Sequence, residues 1–379
     1  MSYSQQNSFI GSRSELVPPV PPSGIWASPI TLFNLRDNID FQSQISYFQY
    51  LSSPKIGLAG FFVFGTESEA SLLTRKERCD LLRCARDSVP FGFPIMAGVS
   101  APSVRQVREH IIDAIASGAN YVVVSPPVGS EPNKKGTKQE NETVDAFFDD
   151  IAHYSELRIL ISDEDGGIDL TSELIIRQAL SHKGKIVGAH LRSGNNVVGK
   201  ITRLAREFPP SQKEFAIFAG QSDYLVGGLA AGSSGCITAF ANVLPWALVW
   251  QYHEYVNGEK NNDKVKKADA LRVSGMLAKV ETQLLESGGG IATIKFAASL
   301  YTGWRAGVVK GTGTTRRYPM ATAGHKGMEL FLPRKPQADI SMEMKDEIWK
   351  AVNWALDLER DPVADYDLLE KEKAEGSRN

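Results

Sequence analysis

Short apolar runs alternate along this chain with longer segments in which apolar residues recur at helical spacing. This order is typical of repeated strand–helix units and of a parallel sheet. Eight such repeats favour a closed (β/α)8 TIM barrel over an open sheet. Helices are predicted at 76–87, 103–117, 143–155, 171–180 and 197–208. The predicted strands are 25–31, 60–64, 93–97, 121–125, 158–162, 186–190, 215–219 and 235–238.

Changes in composition divide the chain around the predicted barrel. The first residues are rich in Ser and Gln and then in Pro, which predicts a disordered arm. The segment after the last predicted strand holds three helical patterns, which predict a C-terminal helical extension. A proline-containing link then leads to a final helix and a charged tail. The predicted regions are the arm (1–23), the barrel (24–245), the helical segment (246–331) and the link, last helix and tail (332–379).

The predicted last helix, residues 342–359, carries an apolar stripe. Ile348, Val352 and Leu356 recur there at helical spacing. Such a stripe needs a partner surface, so we expect the helix to dock on the body of the chain or on another subunit.

The charge balance and the cysteines exclude several classes of protein. Lys and Arg number 42 against 44 Asp and Glu, a net charge of −2, so neither a nucleic acid nor a membrane is an expected partner. No run of about 18 apolar residues occurs. Cys79, Cys84 and Cys236 have neither the spacing of a disulfide framework nor that of a metal site. The N-terminus lacks the pattern of a secretory signal or a transit peptide, so we expect a cytoplasmic protein.

Candidate chemistry is concentrated where the sixth predicted strand ends. The apolar run 186–190 breaks at His190 and Arg192 and then enters a Ser-Gly-Asn-Asn turn. The carboxyl ends of the strands are where α/β barrels hold their active sites. An imidazole titrates near neutral pH, so His190 is a candidate acid or base. Arg192 is a candidate ligand for a substrate carboxylate, provided that the strand stays regular.

Acidic and polar residues near other strand ends complete the predicted site. Asp163, Glu164 or Asp165, after the fifth strand, could orient the His190 ring, and we assign Asp163 as the catalytic partner. We expect substrate binding by Arg192 and by Thr66, Ser125, Glu164 and Gln221.

Several short stretches, spread along the chain, share a pattern with one known family. They are Gly65-Thr66-Glu67-Ser68-Glu69, residues 94–98, residues 118–127, Gly220 with Asp223, and Arg317 with Pro319-Met320. In this order they resemble the dihydrodipicolinate synthase/N-acetylneuraminate lyase family, a class I aldolase family, over residues 24–331. The resemblance implies a barrel on which the segment 246–331 packs as a helical bundle. It also implies a small-molecule substrate and a homodimer or homotetramer.

The residues that make the imine in that family are absent. The position of its Schiff-base lysine holds His190, its tyrosine pair falls on Val128-Gly129, and its strand-five tyrosine falls on Ile161. An imidazole cannot condense with a ketone to a stable iminium. We therefore expect an enzyme of accessory or secondary metabolism that acts on a carbonyl or carboxylate compound by acid/base catalysis at His190, without a cofactor. The reaction could be an addition, an elimination, a cyclisation or a retro-aldol cleavage.

Two alternatives remain open at this level. The chain could be a non-catalytic paralogue that binds a metabolite or a partner, with His190 a core histidine. A metal version of the site would use His190 with Asp163, Glu164 or Asp223, but no short ligand spacing supports it, so no metal is expected.

Overall fold

The computed structural model describes residues 17–127, 138–163, 170–192, 196–288, 290–311, 321 and 324–359. Within this part of the chain eight parallel strands pair in sequence order, and β1 pairs with β8 to close a barrel. The strands alternate with helices, which confirms the predicted (β/α)8 TIM barrel. The strands are β1 Gly24–Ala27, β2 Gly60–Val63, β3 Ile95–Gly98, β4 Tyr121–Val124, β5 Arg158–Ser162, β6 Ile186–Leu191, β7 Ala216–Ala219 and β8 Gly235–Thr238.

Polar caps mark where several of the surrounding helices begin. Thr74 and Glu77 form a reciprocal capping box, and the side chains of Ser103, Thr171 and Asn196 each accept a hydrogen bond from a backbone N–H of the first turn. The helices are α1 Phe41–Leu51, α2 Arg75–Ser88, α3 Val104–Ala116, α4 Lys138–Tyr154, α5 Ser172–Ser181, α6 Val197–Glu207, α7 Leu225–Ala230, α8 Pro245–Lys260, α9 Lys264–Glu286, α10 Ile291–Leu300, α11 Thr302–Arg305 and α12 Met342–Ala355.

Two apolar layers hold the barrel together. Because side chains alternate along a strand, one set fills the barrel and the next packs against the helices. The Trp26 ring lies in the interior beside Gly60, where a Cβ atom would stand 2.2 Å from the ring, so the ring requires glycine there. The interior set consists of Trp26, Phe62, Met96, Tyr121, Val123, Leu160, Val187, Ala216, Phe218 and Ile237.

Residues 17–23 depart from the expected disordered arm. Val17 is buried against the interior cluster of the barrel. The Tyr121 hydroxyl donates to the Pro18 carbonyl, and the Trp26 indole N–H donates to the Pro22 carbonyl at 3.1 Å. Buried hydroxyl and indole groups need such partners, so this proline-rich stretch is held against the barrel. Residues 1–16 lie outside the described part of the chain.

The last helix docks on its own chain, one of the two outcomes expected from the sequence. Ile348, Val352 and Leu356 are all buried. Glu359, three residues beyond, accepts hydrogen bonds from the N–H groups of Trp246 and Ala247 at 3.1 and 2.6 Å, and so caps the start of α8. The stripe is therefore used within the chain and supplies no extra surface for a second subunit.

None of the described helices combines the length and the apolar character that crossing a membrane requires.

We expect Val352→Ala to destabilise the protein by about 1–3 kcal/mol, because it removes buried methyl groups and leaves a cavity. The urea midpoint of unfolding, followed by circular dichroism, measures this effect. Met342→Ala on the same helix is the matched control: Met342 is 64% exposed, so its change should stay within about 0.5 kcal/mol. Equal midpoints for Val352→Ala and the parent would contradict the docking of this helix.

Candidate active site

A cavity of about 150 Å³ opens at the carboxyl ends of the strands. Most of its polar lining comes from residues just after β2, β6 and β7 and from the end of β8, which is where barrel enzymes build their sites. Its apolar wall comes largely from α9 and α10, so the helical extension forms part of the site. The lining includes Thr66, Glu67, Arg192, Gln221, Thr238, Phe240, Glu281, Leu284, Leu285, Ile291 and Ile294.

An irregularity in β6 sets which side chains point inward. The pairing of β5 with β6 shifts between Ile159 and Leu160, which leaves Val187 as an extra residue on β6. Beyond it the alternation is regular, so His190 and Arg192 both face the inside of the barrel. The strand is therefore as regular as the predicted role of Arg192 requires.

Arg192 reaches the cavity and forms an ion pair there. Its Nη1 lies 3.0 Å from Oε1 of Glu67, a carboxylate with only 6% of its side chain exposed. Glu67 lies in the stretch 65–69 that contributes to the family resemblance, and no role was predicted for it. The pair places a guanidinium on the cavity wall with much of its charge already balanced.

His190 is enclosed beneath this wall rather than on it. Its side chain is buried, its Nδ1 lies 3.2 Å from the Ser162 hydroxyl, and its ring packs edge to face on Phe62. Burial, reinforced by the charge of Arg192, lowers the pKa of His190 to about 3. The imidazole is therefore neutral at physiological pH.

Asp163, the predicted partner of His190, contacts the backbone of Arg192 and the side chain of Lys200. Its Oδ1 accepts the Arg192 backbone N–H at 2.7 Å, and its Oδ2 lies 3.2 Å from the Lys200 ammonium on α6. The Ser162 hydroxyl lies at the imidazole. Asp163 thus ties the end of β5 to the residue after β6 and to α6.

The predicted strand-five tyrosine position, Ile161, can be compared with the direction of the side chains on β5. Ile161 belongs to the outer apolar layer, and the inward residue that pairs with His190 across the strands is Ser162. A shift of one residue in an alignment exchanges the two faces of a strand. Sequence alone could not exclude that shift, because the loop after β5 carries no clear landmark.

The other predicted binding residues divide into three groups. Thr66 and Gln221 line the cavity. Ser125 is buried at the end of β4, where its N–H donates to the Ser100 hydroxyl at 3.0 Å, and it is not part of the described cavity lining. Glu164 and the Val128-Gly129 pair lie outside the described residues.

A fully buried ion pair supports the loop that carries Thr66 and Glu67. The Lys295 ammonium on α10 lies 2.6 Å from Oε1 of Glu69, and the Arg334 N–H donates to Oε2 at 2.7 Å. Burial lowers the pKa of Lys295 to about 8, although Glu69 opposes the shift. No role was predicted for Lys295, which lies 226 residues from its partner in the sequence.

Glu281 is the ionisable residue that α9 contributes to the cavity. Its Oε2 accepts the Ser222 hydroxyl at 2.6 Å, and burial raises its pKa to about 7. It was also missed. The available signal was a glutamate on the same helical face as the buried residues Leu277, Val280 and Leu284.

The metal version of the site gains no support from the described residues. No group of three or more His, Cys, Asp and Glu side chains that could hold an ion occurs among them.

Comparison with known proteins gives a consistent picture. The sequence model of the dihydrodipicolinate synthetase family matches residues 21–326. A protein of Coccidioides immitis (strain RS), provisionally named a mitochondrial 4-hydroxy-2-oxoglutarate aldolase, is 40% identical over 341 residues, 89% of this chain and 96% of the relative. The L-threo-3-deoxy-hexylosonate aldolase of Hypocrea jecorina is 30% identical over 76% of this chain and 90% of its own length.

Solved structures of two proteins have a fold similar to that of this chain. A crystal structure of a Coccidioides immitis protein, provisionally placed in the dihydrodipicolinate synthase family, has a TM-score of 0.74 at 38% identity and covers 90% of this chain and 98% of its own. YagE from E. coli, solved with pyruvate, has a TM-score of 0.69 at 20% identity over 89% and 98% of the two chains, a likeness that concerns the fold alone.

We expect His190→Gln to remove a pH dependence of stability. The pKa of His190 is lower in the folded state, about 3, than in the unfolded chain, about 6.5, so the unfolded chain takes up the proton first as pH falls. This contribution is fully present above pH 6.5 and is lost progressively between about pH 6.5 and pH 3. Between pH 7.5 and 5.0 the parent should lose about 2 kcal/mol more unfolding free energy than His190→Gln.

Urea unfolding at both pH values gives this difference. His182→Gln is the matched control, because His182 is paired with Asp149 on the outer surface of the barrel. Parallel losses in the parent and in His190→Gln would contradict a neutral, buried imidazole at this position.

Proposed function

The chain belongs to the dihydrodipicolinate synthetase family and is a lyase of the aldolase kind, and from this premise we propose how its site works. We propose that it cleaves or forms a carbon–carbon bond in a small 2-oxo acid without a lysine imine. The names of its relatives, 4-hydroxy-2-oxoglutarate aldolase and L-threo-3-deoxy-hexylosonate aldolase, support the substrate class. We take a 4-hydroxy-2-oxo acid as the substrate for testing.

The observation that carries the proposal is His190 at the inward position of β6. This is the position at which the family resemblance expects the lysine, and an imidazole supplies no amine to condense with the ketone. The lining of the described cavity contains Arg192 but no lysine. The two buried lysines nearby, Lys200 and Lys295, have their ammonium groups on Asp163 and Glu69.

The cavity offers groups suited to a carboxylate and a carbonyl oxygen. Arg192 and the side chains of Thr66, Gln221 and Thr238 supply hydrogen-bond donors on one wall. In a retro-aldol step without an iminium, the electron pair of the broken bond moves onto the 2-oxo oxygen as an enolate. A guanidinium held in place by Glu67 is a preorganised donor for that charge.

The roles predicted for His190 and Asp163 are revised in this proposal. A neutral imidazole with a pKa of about 3 cannot donate a proton at neutral pH and is a weak base. We propose that His190 fills the floor of the site, while Asp163 positions Arg192 through its backbone N–H. The expected home in secondary metabolism stays a prediction. So does the cytoplasmic location, and two fungal relatives carry the word mitochondrial in their names.

The alternative of a non-catalytic paralogue makes a distinct prediction. Such a protein would bind 2-oxo acids without turning them over. The polar lining counts against it, because an idle pocket has no need for an ion pair between Arg192 and the buried Glu67 carboxylate, which costs desolvation.

We expect incubation with pyruvate and borohydride to leave the intact mass of the protein unchanged. In a separate assay without borohydride, we expect the same protein to cleave 4-hydroxy-2-oxoglutarate. Borohydride traps only an iminium, so an imine enzyme gains one adduct per chain. Intact-mass spectrometry and a coupled assay for the released aldehyde measure the two results. An adduct, mapped by peptide mass spectrometry to Lys200, Lys295 or any other lysine, would refute the proposal.

His190→Lys is the informative variant for the same assay. A lysine at this buried position restores the amine but not the proton-relay groups, which typically contribute about 10²–10⁴-fold in rate. We therefore expect no efficient imine-dependent aldolase activity from this variant. Cleavage by His190→Lys faster than by the parent, with a trapped adduct, would contradict this expectation.

We also propose that the chain forms at least a dimer, as the family resemblance implies. Light scattering at micromolar concentration should give a mass of twice 41.5 kDa or more. A mass of 41.5 kDa would refute this part of the proposal.

A further inference from the structure

Glu281 differs from the other ionisable residues of the cavity in its origin and surroundings. It lies on α9, outside the barrel, and reaches the cavity that the ends of β2, β6, β7 and β8 form. Its side chain is 4% exposed and sits in an apolar wall with Leu284 and Ile294. A carboxyl group in such a wall is costly to ionise unless it is compensated.

The groups around Glu281 compensate it only in part. Ser222 donates its hydroxyl at 2.6 Å and its N–H at 3.4 Å. Asp223, on the same loop after β7, opposes ionisation, and the buried thiol of Cys236 on β8 also interacts with the carboxylate. Across the cavity, Arg192 is already paired with Glu67. These opposing influences leave the pKa of Glu281 raised to about 7, so both protonation states are accessible at neutral pH.

We propose that Glu281 is the catalytic acid/base residue of this cavity and that the helical extension, not the barrel, supplies it. This inference rests on the proposed function. In the cleavage direction the Glu281 carboxylate takes the proton of the 4-hydroxyl group. The C3–C4 bond breaks, C4 becomes the aldehyde carbon, and the electron pair forms the enolate on the 2-oxo side. The protonated Glu281 then returns the proton to C3, which yields the 2-oxo acid, so no further reactant is needed.

The structure also offers a purely structural role, in which Glu281 only anchors α9 to the loop after β7 through Ser222. The two roles differ in what the pH profile does. If Glu281 only anchors the helix, substitutions of its neighbours leave the pKa seen in the pH profile of kcat/KM unchanged. If Glu281 is the catalytic carboxylate, that pKa rises when a hydrogen-bond donor to it is lost and falls when a neighbouring negative charge is lost.

The test compares the pH dependence of kcat/KM for 4-hydroxy-2-oxoglutarate cleavage in the parent and in three variants. In the parent, activity should rise with pH through an ionisation near pH 7. Ser222→Ala should move that ionisation up by about 1 unit, since it removes a hydrogen bond to the charged form. Asp223→Asn should move it down. Glu281→Gln, which keeps the shape and can still accept from Ser222, should lower kcat/KM by about 10²-fold or more.

Glu286→Gln is the matched control, because Glu286 lies on the same helix but outside the cavity lining, and its kcat/KM should equal that of the parent. The thermal midpoint of Glu281→Gln should be no lower than that of the parent, which separates lost chemistry from lost folding. Active parent enzyme with a Glu281→Gln variant within about threefold of it would overturn this inference alone. So would Ser222→Ala and Asp223→Asn profiles that do not move in opposite directions. A parent without turnover, or with a trapped imine, would overturn the proposed function and this inference together.

Discussion

The cost of burying charge governs the carboxyl end of this barrel. An ionised side chain removed from water must be paired or must become neutral, because its desolvation costs several kcal/mol. Four sets of buried or half-buried groups at this end follow one of these two routes. Lys295 with Glu69, Lys200 with Asp163 and Arg192 with Glu67 are paired. His190 is neutral, with a pKa of about 3.

The same constraint explains why one lysine cannot simply be exchanged for another in this fold. An imine-forming amine must be uncharged at the moment of attack and must face the substrate. Lys200 and Lys295 hold their ammonium groups on carboxylates outside the described cavity lining, where they fix α6 and α10 to the barrel. Releasing either lysine would leave a buried carboxylate unpaired, which is typically a loss of about 3–5 kcal/mol. Their ion pairs therefore serve the architecture that presents the site.

The sequence was sufficient for the barrel because strands leave a local signal. All eight predicted apolar runs overlap strands, and β6 has the regular alternation at His190 and Arg192 on which the predicted role of Arg192 depended. The failures concern contacts between distant segments. Glu281 and Ser222 are 59 residues apart, and Arg192 and Glu67 are 125 apart. No periodic pattern in the sequence indicates a contact between residues so far apart. Ile161 is a different case, since a shift of one residue in an alignment exchanges the faces of a strand.

A barrel of this kind separates what holds the fold from what does the chemistry. The interior layer around Trp26 and Phe218 needs only apolar volume, and it remains intact whatever residue ends β6. The site residues lie on strand ends, loops and α9, where a substitution changes chemistry without disturbing the pairing of the strands. The proposed mechanism uses this separation: His190 takes the expected lysine position in the barrel wall, and the acidic group comes from α9. That helix already packs over the cavity through Leu284 and Leu285, so Glu281 needed no new element to reach it.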